Sequence, residues 1–147
     1  MKPLVYLDIC CFNRPFDDKS ILRNRLEAEA KIFVQRQILI GRLSVAWSFI
    51  LELENNENPY EEVKTQISAW RKVASVNIPW NPEVIQNAET FQFKLGIEAK
   101  DALHIASAIQ SKSDYFLTTD RKFLSKIRQL ETIKCINPVE WIDGEAP

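Results

Sequence analysis

Four acidic residues stand where their side chains could act together on one ligand. Asp8 closes the apolar run that begins at Leu4, and Asp120 follows the apolar stretch 115–119. Asp101 opens a strongly periodic helical stretch, and Glu54 lies about two turns into the helix after residues 43–47. Carboxylates gathered in one crevice repel one another and raise one another's pKa, so they stay charged together only beside a cation. Hard oxygen donors suit Mg2+ or Mn2+, which take one or two carboxylates each and keep several waters. A divalent ion lowers the pKa of a coordinated water and stabilises charge on the attacking and leaving oxygens of a phosphodiester. That chemistry requires neither a histidine base nor a nucleophilic serine. The sole histidine, His104, stands one turn after Asp101 and is expected to be structural, hydrogen-bonded within the fold.

The acids can meet only if the elements around them converge. Residues 4–8 read as a buried strand, and residues 10–20, with Pro15, Asp17 and Asp18, as a loop or helix start. Helical spacing over 21–39 puts Leu26, Ala30 and Phe33 on one face and mixed charges on the other, with Gly41 ending the helix. Residues 43–47 form a second strand. Ser48 then caps a helix with Ile50 and Leu53 inward and Glu54 beside them, closed by the polar run 54–59.

A third helix spans 61–73 on a stripe of Val63, Ile67 and Trp70, and 76–79 is a short strand. Pro82 suits the first turn of a helix that runs to Leu95 and stops at Gly96. Ala102, Ile105, Ala106 and Ile109 fall at i, i+3, i+4 and i+7. Residues 115–119 form a buried strand, a helix with Arg121, Lys122, Lys126 and Arg128 follows, and 133–136 is the last strand. Strands alternating with helices, without hairpin signals, predict a three-layer α/β/α fold around a central, mainly parallel sheet. In such a sheet the ends that carry the four acids share one edge.

Residues 1–147 suffice for a single domain. With 46% apolar and 27% charged residues the chain has the profile of a soluble globular protein, and the longest apolar runs fall short of the ~18 residues of a membrane span. A cytoplasmic location without membrane association is expected. The net charge of −1 gives no global attraction to nucleic acid, so any such role must rest on a local basic patch or on metal ions. Cys10 and Cys11 are adjacent and Cys135 is distant, a pattern of reduced packing residues. The four tryptophans are expected in the core, whereas an exposed one near the crevice would favour base stacking on RNA.

The run YLDICCFNRPFDD and the segments SFILELEN, KDALHIASAI and FLTTDRKFL, in that order and at these separations, resemble a PIN domain of the VapC-type ribonuclease toxin group. The closing INPVEW is similar to the final strand and tail of that family, and KDALHIASA followed by LTTD is the most specific part. The resemblance implies a PIN-like fold and a Mg2+- or Mn2+-dependent endoribonuclease, the toxin of a toxin–antitoxin pair. Its partners would be an RNA substrate and a cognate antitoxin that inserts a basic side chain into the acidic site. It also implies a homodimer, for which residues 25–39 and 61–73 offer apolar surface.

By motif match Asp8, Glu54, Asp101 and Asp120 would be both metal ligands and catalytic acids. Glu52 is the alternative to Glu54; the two lie about 200° apart on a helix and cannot face one site. Glu54 is preferred because it stands six residues after Ser48, as the family acid commonly does. The first motif often has a hydroxyl-bearing residue after its aspartate, where this chain has Ile9, Cys10 and Cys11, so Asn13 is a candidate to supply that hydrogen bond. Thr118 and Glu98 are further candidates to support the site. Arg14, Lys100, Arg121 and Lys122 form either a phosphate-binding rim or ordinary surface charge. Two alternatives stand beside the ribonuclease: a DNA or structure-specific nuclease on the same site, and a non-catalytic, degenerate PIN-like binding module.

Overall fold

The structure is a computed structural model that describes residues 2–12 and 21–142. Its centre is a sheet of five short strands, β1 (Leu4–Leu7), β2 (Ser44–Ser48), β3 (Val76–Ile78), β4 (Tyr115–Leu117) and β5 (Lys134–Ile136). The strand order is β3-β2-β1-β4-β5, and every neighbouring pair is parallel. β1 therefore occupies the middle, with Val5, Tyr6 and Leu7 buried. An unbroken apolar run is what a strand covered on both faces requires.

The helices are α1 (Ile9–Phe12), α2 (Leu22–Leu39), α3 (Phe49–Asn56), α4 (Glu61–Val73), α5 (Pro82–Leu95), α6 (Ala99–Gln110), α7 (Arg121–Ile127) and α8 (Pro138–Glu140). They complete the expected three-layer α/β/α architecture. Local chemistry sets several boundaries. The Ser48 hydroxyl accepts from the Leu51 amide at the start of α3, and Asn81 accepts from the Val84 amide ahead of Pro82 at the start of α5. Gly96 ends α5 in the left-handed region at φ 64°, a conformation glycine adopts without penalty. The short α8, which sequence periodicity did not reveal, is held by a reciprocal cap between Asn137 and Glu140.

Two inward-facing expectations are corrected. On α2, Leu26 and Phe33 remain 42% and 40% exposed, and the buried face carries Glu27, Ala28, Ala30, Lys31, Val34 and Ile38. Two alanines on that face suit close packing, and the Glu27 carboxylate is satisfied there by the Asn137 side-chain amide at 2.8 Å. On α3, Ile50 is buried as expected, but Leu53 is 48% exposed, and Leu51 and Asn55 face the interior in its place. The Asn55 amide donates to the Lys64 carbonyl and the Ser68 hydroxyl, which turns that face toward α4.

Trp47 and Trp141 are buried and Trp70 is half-buried, but Trp80 is exposed. The three cysteines are free, Cys11 and Cys135 buried and Cys10 half-buried. Among the described residues no helix is long and apolar enough to cross a membrane.

Candidate active site

Because the strands run parallel, the carboxyl ends of β1, β2 and β4 lie side by side. Asp8 leaves β1 there, α3 leaves β2 there, and Thr118 to Asp120 leave β4 there. Asp8 is buried and firmly held. Its Oδ1 accepts from the Ile9 amide at 2.8 Å, and its Oδ2 accepts from the Thr118 hydroxyl at 2.7 Å. The Cys10 thiol lies 3.7 Å from both Asp8 Oδ2 and Thr118 Oγ1. The hydroxyl contact that the first motif lacks is thus supplied from the end of β4. Asn13 and Arg14 lie outside the described residues, as do Asp17 and Asp18.

Glu54, on α3, meets His104, on α6. The imidazole Nε2 is hydrogen-bonded to Glu54 Oε1 and lies 3.8 Å from Asp8 Oδ1. Its Nδ1 lies 2.8 Å from the Tyr6 hydroxyl, which in turn lies 2.6 Å from the Ser48 hydroxyl. Tyr6, Ser48 and His104 are all fully buried. With a neutral ring, Ser48, which accepts from the Leu51 amide, donates to Tyr6, and Tyr6 donates to Nδ1. Nε2 carries a hydrogen toward Glu54 in either state, and in a charged ring Nδ1 donates to the Tyr6 oxygen instead of accepting from it. Burial favours the neutral imidazole, but the Glu54 hydrogen bond and the charges of Asp8, Glu54 and Asp101 outweigh it and hold the pKa above the ordinary value. Burial likewise pushes the Tyr6 phenol well up, keeping it a donor.

Glu52 points elsewhere. Its Oε1 accepts from the Trp47 indole at 3.3 Å and from Arg71 at 3.2 Å, so of the two α3 glutamates only Glu54 reaches Asp8 and His104. Asp101 sits half-buried in the first turn of α6. Its pKa is raised to about 6 by burial first, then by the charges of Asp8 and Asp120, with Glu98 adding and His104 opposing. Asp8, Asp120 and Glu98 thus bear on Asp101, and Asp8, Glu54 and Asp101 bear on His104. Asp120 is exposed, and its Oδ1 caps α7 by accepting from the Phe123 amide at 3.1 Å.

Asp101 and Asp120 line a crevice of about 310 Å³ with Glu98, Phe123, Lys122 and Lys126. Glu98 precedes α6 as its cap residue without a side-chain cap bond. The basic residues divide. Lys122 and Lys126 reach the crevice, Lys100 pairs with Glu57 at 3.4 Å, and Arg121 lies in a different groove beside Leu22, Leu26 and Leu124. That groove is larger, about 570 Å³, but includes none of the four acids.

No protein-family model matches this chain, and no curated protein matches it in sequence. Among solved structures, a chain in the crystal structure of VapBC2 from Rickettsia felis bound to a DNA fragment from their promoter superposes with a TM-score of 0.60. The match covers 91% of this chain and 98% of that one at 12% identity, a likeness of fold alone. The fold is PIN-like.

Within this PIN-like frame, single ligand atoms from Asp8, Glu54 and His104 all lie within 4.8 Å of one another. The Asp8 and Glu54 carboxylates fit a divalent cation, with His104 holding Glu54 through its Nε2 hydrogen. Two carboxylates from separate elements face one point, and a third, Asp101, has its pKa raised by burial first and then by the charges of Asp8 and Asp120. His104 is hydrogen-bonded within the fold, as expected, and those bonds also set it inside the cluster. The signal was its position one turn from Asp101, but only the fold shows that Tyr6 and Glu54 clasp it from two other elements.

Proposed function

We propose that this chain is a Mg2+- or Mn2+-dependent endoribonuclease that hydrolyses RNA phosphodiester bonds. The convergence of Asp8, Glu54 and His104 at the carboxyl edge of a PIN-like sheet, with Asp101 near enough to feel the charge of Asp8, carries this reading. Asp8, Glu54, Asp101 and Asp120 would hold the cation, which when bound supplies an activated water and stabilises charge on the phosphate oxygens. The chain's own residues do the positioning. Thr118 and the Ile9 amide fix both oxygens of Asp8, and His104 aims the Glu54 carboxylate. Lys122 and Lys126 set positive charge on the crevice wall, suited to the phosphates flanking the cut bond.

The same reading assigns the chain as the toxin of a cytoplasmic toxin–antitoxin pair, supported by the VapBC2 likeness. A cognate antitoxin and a second copy of the chain are its proposed protein partners. The exposed apolar residues Leu22, Leu26 and Phe33 of α2 offer surface for such contacts.

One observation favours the non-catalytic alternative. A protonated His104 between Asp8 and Glu54 would itself neutralise the acids where a cation would sit. Incubation of the purified protein with Mn2+ and matched RNA and DNA oligonucleotides separates the readings. The ribonuclease cuts RNA in preference to DNA and stops on addition of EDTA. Equal cutting of DNA supports the DNA nuclease, and no cutting of either supports the binding module.

A further inference from the structure

One tryptophan stands apart from the core, and its surroundings are built rather than incidental. Trp80 is 67% exposed on the short connection between β3 and α5. Its backbone is pinned on both sides. Pro79 precedes it, and the Asn81 side chain spans it, donating from Nδ2 to the Pro79 carbonyl at 2.8 Å and accepting at Oδ1 from the Val84 amide at 3.0 Å. The same Nδ2 donates to Gln110 at 2.8 Å, anchoring the connection to the last residue of α6. The indole meets the Phe49 ring edge to face, with centroids 5.2 Å apart, so it is held in place without being covered.

Trp80 and Phe49 border a groove of about 270 Å³ that also includes Ser48, Glu52, Asn77 and Arg71. The Arg71 guanidinium is 58% exposed and steadied by Glu52. The groove lies at the carboxyl ends of β2 and β3, on the same edge as Asp8. β3 is two strands from β1, a lateral step of about 10 Å at the usual strand spacing. A preorganised, open aromatic face beside a cation, on the sheet edge that also carries Asp8, matches the needs of an unpaired base and its phosphate. A duplex fits poorly, because its bases are already stacked on one another and their faces are closed.

We propose that the Phe49–Trp80 groove stacks one base of a single-stranded RNA while Arg71 contacts the adjacent phosphate, deepening the ribonuclease reading on which it rests. The site selects unpaired RNA and positions the strand across the acidic crevice.

The test measures binding separately from cleavage. Asp101→Asn protein with Mg2+ is titrated into a fluorescein-labelled single-stranded RNA oligonucleotide and into its matched duplex, followed by anisotropy. Adding Trp80→Ala is expected to weaken single-strand binding about 5- to 150-fold, the range for loss of one stacked base. Duplex binding should change less than about twofold, and Trp80→Phe should restore most of the single-strand affinity. Thermal unfolding should be unaltered, because the indole is largely exposed. Equal single-strand affinity with and without Trp80, equal losses for strand and duplex, or no RNA binding in either protein overturns the proposal. Cleavage by otherwise wild-type protein is scored in parallel. Trp80-dependent binding without any cleavage refutes the nuclease and leaves the stacking site standing, whereas cleavage with Trp80-independent binding does the reverse.

Discussion

The Tyr6 hydroxyl lies 2.8 Å from Nδ1 of His104, both side chains wholly buried, and this contact links the middle strand of the sheet to the edge where the acids meet. Tyr6 is packed in turn, stacked on Phe116 with ring centroids 5.4 Å apart. The rigidity of the core is thereby passed through the imidazole to Glu54. Tyr6→Phe removes the hydroxyl and keeps the ring, leaving Nδ1 of His104 without its hydrogen-bond partner. A loss of about 1–3 kcal/mol in unfolding free energy is expected from the buried unpaired group. Mn2+ affinity should fall about 10- to 100-fold, as when a supporting hydrogen bond to a metal site is lost. Denaturant unfolding and calorimetric titration measure the two effects, and an unchanged Mn2+ affinity would mean that His104 does not aim Glu54.

Charged Asp101 destabilises the fold in the absence of a cation. Asp101 has its folded pKa raised to about 6 from 3.8, so its charged form is penalised. The penalty is absent below about pH 4, grows as pH rises through 6, and is full above that. In EDTA, Asp101→Asn should therefore stabilise the protein at pH 8 by about 1–2 kcal/mol, after allowance for the screening of a half-exposed group, and have little effect at pH 4. Thermal melts at the two pH values provide the check.

Glu54 and Glu52 should separate cleanly by substitution. Glu54→Gln is expected to abolish Mn2+-dependent stabilisation and lower RNA cleavage by at least about 100-fold. Glu52→Gln weakens only the partly exposed contact with Arg71, worth at most about 1 kcal/mol, and should leave the metal response intact. The reverse pattern in thermal shift with Mn2+ would move the second acid to Glu52.

Thiol chemistry offers a probe of the site that needs no substrate. Burial pushes the Cys11 thiol well up and the Cys135 thiol to about 12, so both should resist alkylation in the native state. Cys10 is half-buried, with its sulfur 3.7 Å from Asp8 Oδ2. Iodoacetamide should modify Cys10 first, and the added group should block metal binding. Peptide mass mapping identifies the modified residue.

Much of the fold was legible because it rests on local chemistry. Ser48 as a cap, Pro82 in a first turn, Gly96 as a left-handed stop and the apolar strands each carry their signal within a few residues. α2 was less legible. Its sequence offers apolar residues on more than one face, and the choice is made by Asn137, 110 residues away, which satisfies Glu27 in the interior. The outward turn of Leu53 depends in the same way on Asn55 reaching α4. At the candidate site, the strand-end and helix-start acids could be placed from topology alone. His104 and Thr118 acquire their roles from Tyr6, Glu54 and Asp8, partners on other elements that no periodicity reports.

The most direct test of the central claim compares wild-type protein with Asp8→Asn on a single-stranded RNA oligonucleotide, with Mn2+ and with EDTA. The expected result is cleavage by wild type with Mn2+ only, and none by Asp8→Asn under either condition. Cleavage that persists in EDTA, or in Asp8→Asn at the wild-type rate, would contradict a metal-dependent nuclease centred on Asp8.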